Sequence, residues 1–391
     1  MDNYFDPQLS LDFRNVINKS LIFMYDEQYK GHYNLACVVM ERIDTCIGYL
    51  NKHITYPKKE EDFLSFMMFS CMLVDAVKQI LKGLNVKVSS KEYKYFKKVC
   101  LGSPLNISED ECPTDDKFFE YFRSLTFAHP FETSRPKFFQ KGEIQYSPWV
   151  ITNSQIGALL GIPDAIGVRV YSNKCDGILD LRLSFATLKE YVKSRYECIN
   201  LATQWAEQAV EKEKSKWRKQ KINRVQEPID ILREILKILI SRYEETYDIE
   251  NTINYLECIN TVENNKEAVN QFRNALIEKI PALCDAVENL DNNLMAELLH
   301  DVIHAQPQKM HNGVHYQLEK IFSYLIEDGN NYSENYKWGL KQAQYFSEAF
   351  AKKWVIIKPF EMSCNEIKLL VRVACFLEKL DQEVIQSEYY D

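Results

Sequence analysis

Residues 121–130 read Tyr-Phe-Arg-Ser-Leu-Thr-Phe-Ala-His-Pro and place Arg123 six positions before His129. The apolar positions in and before this stretch recur at helical spacing, which predicts a helix that faces a core with Phe118, Phe119, Phe122 and Leu125. Because Pro130 disfavours the helical conformation of the residue before it, the helix is predicted to end at or just before His129.

Arg123 and His129 combine two side-chain chemistries near the end of one helix. An arginine keeps its positive charge at physiological pH and can hold a phosphate through paired hydrogen bonds, whereas a histidine exchanges protons near neutrality. Residues six apart on an ideal helix point about 120° away from each other. We therefore expect His129 to turn back along the helix end, or the two side chains to join a site that a second copy of the chain completes.

The segments before this helix are also predicted to be helical, at Asn34–Leu50, Glu60–Lys82 and Lys91–Val99. Residues 102–115 contain two prolines and several acidic residues, which indicates a loop. Thr114 or Asp115, at the end of that loop, is expected to cap the helix that carries Arg123.

A change of pattern follows the histidine. Residues 143–151, 167–172 and 178–185 are rich in Val, Ile, Tyr and Phe, which predicts three short strands. Residues 172–177 lie between the last two strands and have the composition of a hairpin turn.

From Leu188 onward the pattern is helical again. Amphipathic helices are predicted at 228–247, 249–262, 267–290, 293–305, 314–327, 336–353 and 365–386. The fold class is therefore mainly α, with a helical bundle over 1–140, a small β-containing segment over 141–187 and a helical C-terminal domain over 188–391.

Composition limits the class of protein. A hydrophobic fraction of 46% and a charged fraction of 27% are typical of a folded soluble chain, and no apolar run reaches the roughly 20 residues of a membrane span. The first residues do not resemble a signal peptide, so we expect a cytoplasmic protein without a membrane partner. Eleven cysteines without a Cys-x-x-Cys pair argue against a disulfide framework and a zinc ribbon, and most are expected to be small buried side chains.

The formal net charge of −8 means that nucleic-acid binding would need a local basic patch. One basic segment, residues 211–224, has seven Lys or Arg side chains within fourteen residues, together with Trp217, which could stack on a base. The favoured interpretation is the solvated face of a long helix.

With its helical surroundings, the Arg123, Ser124 and His129 pattern resembles the HEPN superfamily (higher eukaryotes and prokaryotes nucleotide-binding). The superfamily's hallmark is an arginine, a spacer of four to six residues and a histidine, and the resemblance covers about a third of this chain, from Leu9 to Phe139. Family members often have asparagine or aspartate where this chain has Ser124. The resemblance implies a metal-independent endoribonuclease without a cofactor. It also implies a homodimer, often a toxin or an antiviral defence effector, that a regulatory or antitoxin protein can restrain.

The residue chemistry suits that activity, because a 2′-hydroxyl lies beside each RNA phosphodiester and can attack it once deprotonated. His129 would act as general base or acid, and Arg123 would hold the phosphate and stabilise the transition state. Glu132 and Arg135, which follow in the loop, and Ser124 are supporting candidates. The alternative is a catalytically inactive interaction or nucleotide-binding module, in which Arg123 bridges to Glu120 or Glu132 and His129 caps the helix.

A second constellation is His300, His304, His311 and His315, four of the seven histidines of the chain within sixteen residues. His300 and His304 would share one helix face, a geometry that can bind a transition metal, but the pattern lacks the glutamate of a metalloprotease motif. Helix-end or surface histidines are the preferred interpretation, and we predict no metal site. Phosphate-loop, dinucleotide-turn and nucleophile-elbow motifs are absent from the sequence.

Overall fold

The computed structural model of the chain describes residues 3–88, 92–133, 142–152, 159, 161–306, 313–326 and 333–390. Arg135 and His311 lie outside these ranges. The chain forms two compact units, Met1–Glu211 and Lys212–Asp391. Helices dominate both units, and the first also holds a small antiparallel sheet, which confirms the predicted mainly α fold class.

The first unit is built on a set of helices in chain order: α1 (Pro7–Lys19), α2 (Ile22–Tyr25), α3 (Tyr33–Lys52), α4 (Glu60–Gly83), α5 (Lys97–Leu101), α6 (Asp115–Arg123), α7 (Phe185–Glu197) and α8 (Ile199–Trp217), the last of which continues into the second unit. The predicted helices at 34–50 and 60–82 are confirmed as α3 and α4, which pack against each other.

The predicted helix at 91–99 is wrong for most of its length, because the described helix there is α5, Lys97–Leu101. The cause lies about twenty residues away in the sequence. The buried carboxylate of Asp115 accepts hydrogen bonds from the backbone N–H groups of Lys94, Tyr95 and Phe96, at 2.7, 3.1 and 2.9 Å. Because the Asp115 carboxylate accepts from those N–H groups in place of the backbone carbonyl groups of a helix, the segment before α5 stays irregular.

Helix α4 runs through the core of the first unit. Its side chains Phe63, Phe66, Met67 and Leu73 are at most 1% exposed. Among the described helices, α4 alone is long and apolar enough to cross a membrane by length and composition, with a mean hydropathy of 1.5, and 50% of that window is buried inside the protein. Such burial is what a core helix of a folded unit shows.

The sheet has four strands where three were predicted: β1 (Gln145–Tyr146), β2 (Val150–Ile151), β3 (Ala165–Ser172) and β4 (Cys175–Ser184). Strand β3 pairs antiparallel with each of the others. Ser172 pairs with Cys175, so the predicted hairpin exists but turns on Asn173 and Lys174 alone. Gly167 allows a close approach between β3 and β4, because a Cβ there would lie 2.1 Å from the carbonyl oxygen of Leu181.

The sheet packs into the first unit through its inner face. The Tyr56 hydroxyl lies within hydrogen-bonding distance of the carbonyl oxygens of Thr152 and Ala165, at 2.9 and 2.7 Å. The rings of Phe66 and Phe185 meet edge to face with centroids 4.8 Å apart. The first compact unit therefore includes the sheet, α7 and part of α8, whereas the domain boundaries predicted from sequence texture were at 140 and 187.

The described part of the second unit contains helices joined by loops and has no strand; its α-helices are α9 (Pro228–Ser241), α10 (Tyr247–Glu257), α11 (Lys266–Asn289), α12 (Asn292–Ile303), α13 (Val314–Tyr324), α14 (Glu334–Ala349) and α15 (Cys364–Tyr390). Each corresponds to a helix predicted from apolar periodicity. Buried Arg242 joins three segments of this unit, since its guanidinium donates to the carbonyl oxygens of Val287 and Trp217 and to the side chain of Gln220. Burial lowers the pKa of this arginine.

The ten cysteines whose side chains are described are free thiols, and seven of them are buried. Burial raises the pKa of the Cys71 thiol to about 12, so it remains a neutral apolar group. The expectation that most cysteines are small core residues is confirmed for this part of the chain.

Candidate functional site

The helix that carries Arg123 begins and ends as predicted. Thr114 is its N-cap and accepts a hydrogen bond from the backbone N–H of Lys117. After Arg123 the helix widens into a π-helical turn over Ser124–Ala128. The backbone N–H of His129 closes this turn by donating to the Ser124 carbonyl oxygen at 2.9 Å. His129 itself is not helical, with φ −144° and ψ 54°. Such widened turns are rare and occur often at functional sites.

Two hydroxyl groups of this turn donate hydrogen bonds back to carbonyl oxygens of α6. Ser124 Oγ donates to the carbonyl oxygen of Glu120 at 2.9 Å, and Thr126 Oγ1 donates to that of Phe122 at 2.7 Å. Side chains that bond to the carbonyl four residues earlier tend to bend helices. Ser124 is buried, so water does not compete for its hydroxyl, and its bond to Glu120 links the π-helical turn to α6.

Arg123 lies against α4. Its Nη1 is 3.2 Å from Oδ2 of Asp75, a partner that differs from the Glu120 or Glu132 of the alternative interpretation; Glu120 pairs with Lys78. The side chains of Arg123 and Asp75 are 37% and 50% exposed, so water screens the pair. Arg123 also lines a cavity of about 350 Å³, which we call the Arg123 cavity.

His129 lies on a different surface. It is exposed and lines a shallow pocket of about 500 Å³, the His129 pocket, together with Ser124, Phe127, Ala128, Pro130, Phe131, Glu132 and Thr133. The fold thus brings His129, Ser124 and Glu132 to one pocket and directs Arg123 to another. Arg135 lies outside the described residues.

The loop after His129 is fastened to the sheet. The Pro130 carbonyl oxygen accepts from the backbone N–H of Ser147 at 2.7 Å, and Thr133 forms an isolated antiparallel bridge with Gln145. Thr133 Oγ1 also donates to the His129 carbonyl oxygen at 2.7 Å. The sheet, which was predicted as a separate segment, therefore holds the loop that follows the catalytic candidate His129.

Sequence reasoning missed an aromatic surface on the outer face of the same sheet. Tyr146 and Tyr171 are register partners and are 38% and 36% exposed, and Trp149 is 45% exposed. The Arg169 guanidinium lies 5.4 Å from the centre of the Trp149 ring and also pairs with Asp180. The alternation of buried and outward residues over 168–171, in the second half of β3, was the available signal.

The basic segment 211–224 is partly neutralised in the second unit. Lys216 pairs with Glu213, and both Lys221 and Arg224 pair with Glu288. Hydrogen bonding from Lys221 lowers the pKa of Glu288 to about 2. The prediction of a long helix face holds only as far as Trp217, because Lys221 and Arg224 lie in the non-helical segment after α8, where these ion pairs reduce the free positive charge.

The histidine constellation forms no described metal centre. The rings of His300, in the last turn of α12, and His304, just after it, lie 5.3 Å apart, and His304 Nε2 is 2.9 Å from Asp248 Oδ1. His315 is exposed near the start of α13. Within the ranges that the structure describes, no three His, Cys, Asp or Glu side chains are grouped to hold a metal ion.

Comparisons with known proteins find no matching family model, no similar curated protein and no similar solved structure. The family resemblance thus depends on the Arg123 and His129 pattern and its helical surroundings.

Proposed function

We propose that this chain is a metal-independent endoribonuclease of the HEPN type. The observation that carries the proposal is the π-helical turn, which ends at an exposed histidine six residues after a half-exposed arginine. His129 takes the proton from the RNA 2′-hydroxyl, or returns one to the leaving oxygen, and Arg123 neutralises the charge that develops on the phosphate. Glu132, in the same pocket, is suited to orient the imidazole.

The proposed active site needs two copies of the chain. Arg123 lines one concavity and His129 another, so neither concavity alone contains both groups. In a symmetric dimer the Arg123 of one copy can meet the His129 of the other, and each dimer then has two sites.

The outer face of the sheet supports single-stranded RNA as the substrate. Tyr146, Trp149 and Tyr171 are partly exposed aromatic side chains, and the guanidinium of Arg169, which also pairs with Asp180, lies beside Trp149. Unpaired bases stack on such rings with little sequence preference. Because Ser147 bonds to Pro130, this face is joined directly to the loop that follows His129. The proposal includes a cytoplasmic toxin or antiviral effector whose C-terminal unit binds a regulatory or antitoxin protein.

A second candidate is a catalytically inactive interaction or nucleotide-binding module. The observation that favours it is the Arg123 contact with Asp75, which gives the arginine a structural partner within its own chain. In that case Arg123 and His129 have separate structural roles, and the helical C-terminal unit carries the surface that binds another protein.

An assay with labelled RNA in EDTA separates the two candidates. The wild-type protein is expected to cut, and Arg123→Ala and His129→Ala are expected to be inert while remaining folded. Arg42→Ala and His315→Ala, which alter exposed residues of the same types elsewhere, serve as matched controls and should cut like the wild type. Equal cutting by all five proteins, or a wild type inert on every RNA class offered, overturns the nuclease proposal.

A further inference from the structure

The side chain of Phe131 is almost fully exposed beside the catalytic candidate. Phe131 follows His129 by two residues and is 83% exposed, more than any other Phe, Tyr or Trp in the part of the chain that the structure describes. Single exposed apolar residues are common on protein surfaces, so the surroundings of this ring decide whether it has a role.

The turn that carries Phe131 is held at two points. The backbone N–H of Glu132 donates to the His129 carbonyl oxygen at 3.2 Å, and the backbone N–H of Ser147 donates to the Pro130 carbonyl oxygen at 2.7 Å. Pro130 also has a fixed φ angle, which suits the second position of a four-residue turn. The backbone therefore presents the ring in a fixed place, and a ligand that contacts it has only the two side-chain torsions of Phe131 to order.

Phe131 and His129 line the same pocket. Phe127, which is half-buried on the π-helical turn, and Glu132, which is exposed, also line it. The His129 pocket thus combines aromatic rings with groups that form hydrogen bonds. A nucleobase has the matching character, because its faces are π-surfaces and its edges carry donors and acceptors. A purely apolar ligand would take water from the imidazole and the carboxylate without replacing its hydrogen bonds.

The spacing of the ring and the imidazole suits a single nucleotide. His129 and Phe131 belong to one four-residue turn, and the ends of such a turn lie within about 7 Å of each other. Within a nucleotide, the base and the 2′-hydroxyl are attached to neighbouring carbons of the ribose. A base that stacks on Phe131 therefore brings its own 2′-hydroxyl towards the side of the pocket where His129 lies.

We propose that the His129 pocket binds an unpaired nucleobase, stacked on the Phe131 ring, of the nucleotide whose 2′-hydroxyl His129 deprotonates. This inference rests on the proposed ribonuclease function and adds the contact that places the reacting nucleotide. Because every base has a π-face, the contact tolerates any sequence. It requires a single strand, since a base within a duplex is stacked between its neighbours.

Strand binding in EDTA, measured by fluorescence anisotropy, tests the contact without cleavage. The probe is a dye-labelled single strand of 2′-fluoro RNA, which has no 2′-hydroxyl to attack. Phe131→Ala is expected to raise its dissociation constant by about 5- to 150-fold, the range that stacking of one base supports, and Phe131→Trp should bind it like the wild type. Phe360→Ala removes another exposed phenylalanine, in the second unit, and is the matched control that should leave binding unchanged.

An abasic strand of the same length separates stacking from other roles of the ring. The wild type and Phe131→Ala should bind this sugar–phosphate chain equally, because it has no base to stack. The same loss of affinity for both strands overturns the proposal, and so does a Phe131→Ala protein that binds the 2′-fluoro strand as tightly as the wild type. Conversion of a dimer into a monomer by Phe131→Ala, measured by sedimentation, would show that a second copy covers the ring and would also overturn it.

Cleavage of unmodified RNA by the same proteins distinguishes this inference from the function on which it rests. A wild type that cuts RNA, beside a Phe131→Ala protein that binds and cuts equally well, contradicts the nucleobase site alone. A wild type that binds the 2′-fluoro strand through Phe131 but cuts no RNA contradicts the ribonuclease function and leaves the nucleobase site in place.

Discussion

Arg123 and His129 lie at the two ends of one short stretch, yet different parts of the fold hold them. Arg123 belongs to the helical bundle, where Asp75 on α4 contacts it beside an apolar cavity. His129 follows the π-helical turn, and the loop after it bonds to Gln145 on β1 and to Ser147 just after β1. The difference teaches that the motif is not a preassembled pair within one chain. The bundle holds the arginine, and the sheet holds the loop that follows the histidine; the proposed dimer would bring the two side chains together.

The largest expected effect is on the rate of RNA cleavage when His129 is replaced. Replacement of a general acid or base costs about 10²- to 10⁴-fold in rate, so His129→Ala should slow RNA cleavage by that factor. Single-turnover rates with labelled RNA measure it. Glu132→Gln, in the same pocket, should cost much less, because the role proposed for Glu132 is to orient the imidazole and not to transfer the proton. A larger loss for Glu132→Gln than for His129→Ala would reverse the assigned roles.

The next largest effect is expected at Asp115, the first residue of the helix that carries Arg123. Asp115→Ala leaves three buried or half-buried backbone N–H groups without their acceptor and should lower the free energy of unfolding by about 3 kcal/mol. Chemical denaturation measures the change. Asp110→Ala, which removes an exposed aspartate five residues earlier, is the matched control. An Asp115→Ala protein as stable as the wild type would contradict the role given to this carboxylate.

A smaller effect is expected at the link between bundle and sheet. The Tyr121 hydroxyl on α6 donates to Gln145 Oε1 at 2.7 Å, and both side chains are buried. Tyr121→Phe removes this bond and should lower the free energy of unfolding by about 1 kcal/mol. Faster hydrogen exchange at the Thr133 and Gln145 amides should accompany it. Unchanged exchange there would show that the link does not control the loop.

The smallest effect is expected at the arginine end. Asp75→Asn removes a screened ion pair and should change the free energy of unfolding by less than about 1 kcal/mol. Thermal melting of the variant beside Glu41→Gln, which alters another exposed ion pair, measures it. A loss of several kcal/mol would mean that Arg123 is a structural residue and would favour the inactive module.

The sequence could predict the features that depend on residues close together in the chain. Pro130 acts on the residue next to it, so the helix end before His129 was readable, and apolar periodicity predicted the long helices of both units. The π-helical turn was not readable, because serine and threonine bond to the preceding carbonyl in ordinary helices too. Contacts between distant residues were also out of reach: Asp115 keeps residues 94–96 from the predicted helix, and Asp75 lies 48 positions before Arg123. The predicted dimer and RNA cleavage stay predictions.

Complementation between two inactive variants tests the central claim most directly. Arg123→Ala and His129→Ala proteins are assayed for RNA cleavage alone and after co-expression. If each site takes its arginine from one copy and its histidine from the other, a mixed dimer keeps one intact site, and random pairing should restore about a quarter of wild-type activity. A mixture as inert as either variant alone, beside an active wild type, would contradict the shared site.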